Sequence, residues 1–111
     1  MLPVEVVQKQ VEFFNNHDIE GFVSTYSKDI QLFTQGETKP YLVGSDALYE
    51  KYSKLFLKED LHVTITNRME LGNCVIDFEE AVGLRENEIF KAIAIYQVEN
   101  DLIQNVWFVK D

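Results

Sequence analysis

The chain has 111 residues, enough for one domain around a single buried core, and 46% of them are hydrophobic, which excludes a disordered tract. Against 19 Asp and Glu stand 10 Lys and Arg; the net charge of -9 repels phosphate backbones and anionic lipid, so nucleic-acid and membrane partners are not expected. Glu5 and Lys9 interrupt any opening apolar run, and the lone Cys74 has no partner for an internal disulfide, which together point to a cytoplasmic protein.

Pro3 suits a first helical turn, and Val4, Val7, Val11 and Phe14 then recur at helical spacing to give one apolar stripe. Asn15-Asn16-His17 breaks the pattern. Asp18 is a good N-cap for a second, shorter helix whose Ile19, Phe22, Val23 and Tyr26 share a face. Ile30–Thr34 reads as a short strand and Gln35 to Lys39 as a polar loop; Tyr41-Leu42-Val43 is a second short strand. Gly44 frees the chain for a turn, and Ser45 is the expected cap of a third helix with Leu48, Tyr52, Leu55 and Phe56 along its stripe.

From Leu61 to Asp111 the chain reads as a meander of strands His62–Leu71, Cys74–Leu84, Glu88–Glu99 and Leu102–Lys110, separated by turn signals such as Gly72-Asn73. Helices first and mostly antiparallel strands afterwards is an α+β pattern, one domain over residues 1–111. Alternation predicts the faces. Val63, Ile65, Met69 and Leu71 should point inward from the first strand, opposite Thr64, Thr66, Arg68 and Glu70. Ile76, Phe78, Val82 and Leu84 should point inward from the second, opposite Asp77 and Glu79. The third is apolar on both sides, with Phe90, Ala92, Ala94, Tyr96 and Val98 on one and Ile89, Ile93 and Ile95 on the other. A strand greasy on both faces predicts a homodimer through the outer sheet face.

The amphipathic helix ending in Phe13-Phe14-Asn15-Asn16-His17-Asp18, the segment Gly21-Phe22…Tyr26-Ser27-Lys28-Asp29-Ile30, the run Gly44-Ser45-Asp46-Ala47-Leu48 and the final meander together resemble the nuclear-transport-factor-2-like superfamily, which includes ketosteroid isomerases and SnoaL-like proteins. The resemblance covers the whole chain and implies a curved, mostly antiparallel sheet wrapped around three N-terminal helices as a cone-shaped roll with an internal pocket. It implies a fold and no particular activity. Carried over from ketosteroid isomerase, the catalytic tyrosine falls on Gln10, the base on or next to Thr34 and the acid on Ala94 or Ile95, so that set is vacant. The Asp-Arg-Asp set of the fold's epoxide hydrolases is not expected either, since Arg68 is read as outward.

Alternation puts one carboxylate, Glu80, on the buried face, where desolvation would raise its pKa and suit it to acid–base catalysis; a bulge near Glu79-Glu80 or a bond to a helix end would instead turn it outward. Asn67 is polar on an apolar face and would orient a ligand oxygen, or be a satisfied buried amide. With Gln10, Phe33, Tyr52, Phe56, Phe78, Tyr96 and Trp107 it makes up the expected ligand-binding lining, suited to a small hydrophobic molecule. An isomerase, cyclase or dehydratase fits, as does a non-catalytic binding or assembly module. His17 and His62 read as loop or capping residues, and no spacing calls for a metal or other cofactor.

Overall fold

The computed structural model describes residues 1–110; Asp111, on which the predicted meander ends, lies outside them. Among the described residues the helices are α1 (Pro3–Asn15), α2 (Ile19–Ser24) and α3 (Ser45–Leu55). The strands are β1 (Tyr26–Thr34), β2 (Leu42–Val43), β3 (His62–Leu71), β4 (Cys74–Val82), β5 (Phe90–Glu99) and β6 (Leu102–Lys110). They form one curved, open sheet in the order β2-β1-β6-β5-β4-β3, parallel only between β1 and β6. The α+β class and the meander are as expected. β1 starts four residues earlier than the sequence suggests because Tyr26 already pairs with Ile103 of β6.

Local chemistry sets the helices. Pro3 opens α1, and the Glu5 carboxylate accepts from the Leu2 N–H at 2.7 Å. Asp18 caps α2 as predicted, accepting from the Gly21 N–H at 2.9 Å. Ser45, expected as the cap of α3, is instead its first residue. Gly44 precedes it with φ +95, a conformation that favours glycine, and its carbonyl accepts from the Leu48 N–H.

All three helices pack on one side of the sheet, α1 against β3–β6 and α2 and α3 against its β1 end. Asn15 pins α1 to β3, its side chain accepting from the Val63 N–H at 2.8 Å and donating to the Val63 carbonyl at 2.9 Å. His17 Nε2 donates to the Leu61 carbonyl at 2.7 Å, the structural role its loop position suggested. The buried core runs through Val6, Val7, Phe22, Leu48, Val75 and Val106.

Two predicted faces are reversed. In β3, Ile65 pairs with Glu79 and Asn67 with Phe78, so Thr66 is an extra residue on one strand only. Beyond this bulge the alternation flips: Arg68 turns inward, while Met69 and Leu71, expected inside, are 62% and 86% exposed. In β4 the inward set is Val75, Asp77, Glu79 and Ala81; Ile76, Phe78 and Glu80 lie on the outer face. Alternating apolar residues mark the inner side only when the outer side is wet, and here both sides are apolar.

Candidate functional site

Between the helices and the sheet lies a cavity of about 200 Å³. Gln10 and Phe14 reach it from α1, Phe22 from α2, and Tyr52 and Leu55 from α3. Across from them stand Tyr26 of β1, Val63 of β3, Glu79 and Ala81 of β4, Ala92 and Tyr96 of β5, and Phe108 of β6. Phe14, Phe22 and Tyr52 pack tilted or edge-on, at centroid distances of 4.8 to 6.4 Å, and make a rigid aromatic wall.

Glu79 is the carboxyl in this apolar surround. Its cross-strand neighbour is Ala92, and Asp77 faces Ala94, so small side chains on β5 leave room for acids on β4. The Tyr96 hydroxyl donates to Glu79 Oε2 at 3.1 Å. Burial pushes the Glu79 carboxyl up to about 7; the Tyr96 hydrogen bond and the Arg68 charge pull the other way, while Asp77 adds to the rise. Tyr96, 2% exposed, is itself held well above the usual phenol range by burial and by the neighbouring carboxyl.

Gln10 is 4% exposed, and its buried Oε1 has no hydrogen-bond partner among the described residues. Such an acceptor costs about 1–3 kcal/mol when left unmade. Gln10 lines the cavity as a residue, while this oxygen is turned into the packed interior.

Beneath Glu79, Arg68 holds Asp77 with two hydrogen bonds, Nε to Oδ1 at 2.6 Å and Nη2 to Oδ2 at 2.9 Å, and donates through Nη1 to Gln8 Oε1 at 2.8 Å. Asp77 is fully buried, so the pair neutralises a charge inside the fold. The inward arginine that alternation denied is present. It joins one carboxylate and one neutral amide, so an Asp-Arg-Asp set is not formed.

Of the residues singled out in the sequence, Gln10, Tyr52 and Tyr96 come together at the cavity. The others do not. Glu80 lies on the outer face, paired across strands with Lys91. Phe33 and Trp107 stack on that same face, 5.4 Å apart, and Phe78 lines a shallow dent there. Asn67 is exposed after the bulge, and Phe56 is in the core behind Phe14 and Phe22. Sequence reasoning missed Glu79 and the rim residues Tyr41, Lys51 and Lys110. The signal for Glu79 was the pair of alanines, Ala92 and Ala94, on the strand whose faces were assigned correctly.

Helices seated in the hollow of an open, curved sheet, with a cavity between, define the architecture of nuclear-transport-factor-2-like and cystatin-like proteins. A SnoaL-like domain profile matches residues 7–106, and the chain belongs to that family. No protein of curated function matches it by sequence. Among solved structures it is similar to an uncharacterised cystatin-fold protein of Novosphingobium aromaticivorans, at 19% identity over 99% of both chains with a TM-score of 0.88. It is also similar to a candidate ketosteroid isomerase of Kribbella flavida, at 12% identity over 96% of this chain and 76% of that one, TM-score 0.81. A third is an epoxide hydrolase of the LEH-like type from M. tuberculosis, at 12% identity over 98% and 82%, TM-score 0.78. At these identities the likeness is one of fold. No helix among the described residues is long and apolar enough to cross a membrane.

Proposed function

We propose that this protein binds a small, mainly apolar molecule in the cavity and moves a proton on it, with Glu79 as the general acid–base group. The observation that carries the reading is a carboxyl buried in a cavity walled by apolar and aromatic side chains and bonded by the Tyr96 hydroxyl; that burial pushes its pKa up to about 7. A group with its pKa near the working pH both accepts and returns a proton efficiently. Tyr96 orients it, and Gln10 lines the same cavity from α1. Glu79 thus takes the part that alternation gave to Glu80.

Size narrows the substrate. A cavity of about 200 Å³ is close to one of ~150 Å³ that holds benzene, and below the roughly 300–1,000 Å³ of drug-sized pockets. A one-ring carbonyl compound fits, and a fused steroid does not. Gln10 in place of a phenol also removes the strong oxyanion donor of the steroid isomerases. An isomerase, cyclase or dehydratase acting next to a carbonyl is the reaction class.

The test is proton exchange. One-ring cyclic ketones, cyclohex-2-enone first, are followed by proton NMR in heavy water with the protein present. Wild type should accelerate loss of the signals next to the carbonyl, and Glu79→Gln should lower that rate by about 10²-fold or more. An equal rate in Glu79→Gln would remove the carboxyl from the mechanism. Ketone binding without exchange would favour a non-catalytic binding module, the reading that the vacant isomerase positions support.

We propose also that a second copy of the chain covers the outer sheet face, where Ile76, Phe78, Ile93, Ile95 and Trp107 lie unshielded by any helix of the described residues. Glu80 and Lys91, neighbours in register there, give that face the self-complementary charges a two-fold contact needs. A cytoplasmic setting suits the free thiol of Cys74.

A further inference from the structure

The rim of the cavity differs in charge from the rest of the molecule. Its lining passes from buried Gln10 and Tyr96 to the exposed residues Tyr41, Lys51 and Lys110, which mark the mouth. The Lys51 ammonium lies 4.9 Å and the Lys110 ammonium 5.2 Å from the centre of the same ring, that of Tyr41. Lys51 also stands over Tyr52 and Lys110 over Phe108, both of which line the cavity. Among the described residues neither ammonium has a carboxylate within ion-pair distance, although the chain carries 19 acidic residues against 10 basic. Two cations gathered around one ring repel each other, and an anion placed between them relieves that repulsion.

Building on the cavity reading above, we propose that the ligand is a one-ring organic anion: its ring and reacting carbon lie inside, and its carboxylate sits at the mouth between Lys51 and Lys110. The rings of Tyr41, Tyr52 and Phe108 hold both ammonium groups at the opening, so the charged end stays partly hydrated while the apolar body is buried. Partial desolvation of the ammonium by the rings beside it and the charge of Lys110 both make it easier for Lys51 to lose its proton. In a chain of net charge -9 the lysine pair also supplies the local positive field that would draw such an anion in.

The test compares benzoate with benzamide, a neutral probe of the same shape, by titration monitored through amide shifts of the cavity residues. Wild type should bind benzoate about tenfold more tightly, the size of one partly screened charge-assisted contact, and added salt should weaken benzoate alone. The Lys51→Met/Lys110→Met variant should lose that preference, while Lys54→Met, on the same helix but paired with Glu50 and outside the lining, should keep it. Equal binding of the two probes by wild type, a comparison that needs no variant, overturns the inference and leaves the cavity reading standing. So does a preference that survives in the double variant. If neither probe moves the cavity residues, the inference and the cavity reading fall together.

Discussion

Glu79 is held in surroundings that favour its neutral form, and that links its proposed role to stability. Its carboxyl rises from 4.5 to about 7 on folding, so between those values the native protein binds more protons than the unfolded chain. The stability it contributes is complete below about 4.5 and is lost as pH rises through 7. At pH 8 its ionisation costs about 3 kcal/mol relative to acid. Glu79→Gln should therefore be more stable than wild type at pH 8, with the gap closing toward pH 4 in urea melts across that range. A gap independent of pH would show that Glu79 does not titrate there. Tyr96 gives a second handle. Its hydrogen bond favours the carboxylate, so Tyr96→Phe should drive the Glu79 pKa further up, visible as a displaced carboxyl carbon titration by NMR. A downward displacement would mean that the phenol favours the acid form.

At the scale of elements, one extra residue decides what the cavity floor contains. Thr66 has no cross-strand partner of its own, and its insertion rotates the rest of β3 so that Arg68 meets Asp77 instead of solvent. The pair is inside the fold, where losing one partner leaves the other charge uncompensated. Arg68→Leu should cost about 3–5 kcal/mol in denaturant unfolding, and Arg68→Leu/Asp77→Leu should recover most of it. A double variant as unstable as the single one would mean that packing, rather than charge, accounts for the loss. This is also where sequence reading reached its limit. The spans of β3 and β6 were legible because Gly72-Asn73 and Asn100-Asp101 punctuate them, and α1 and α2 because their apolar stripes and the Asp18 cap are plain. The facing of β4, and of β3 beyond its bulge, was not. A bulge leaves no mark in an alternation of side chains, and β4 presents Ile76 and Phe78 outward while it turns two acids in. On β4, which carries Glu79, the rule failed as expected where a site sets polar groups against the core pattern.

For the molecule as a whole, the two faces of the sheet divide the work. The inner face closes on the helices and leaves the cavity; the outer face, stacked by Phe33 and Trp107 and centred on Ile93 of β5, has no helix of the described residues over it. Half-buried apolar surface of that kind favours association, whereas a net charge of -9 on each copy opposes it. These two contributions respond oppositely to salt. Screening weakens the long-range repulsion and leaves the apolar contact intact, so dimerisation through this face should strengthen as ionic strength rises. Sedimentation at micromolar concentration should show a dimer whose dissociation constant falls between low and moderate salt. Ile93→Glu should give a folded monomer, because it places a new carboxylate opposite its own symmetry mate at the centre of the contact. A wild-type monomer at all salt concentrations would leave the outer face without a partner of its own kind. A dimer that persists in Ile93→Glu would place the contact elsewhere on the molecule.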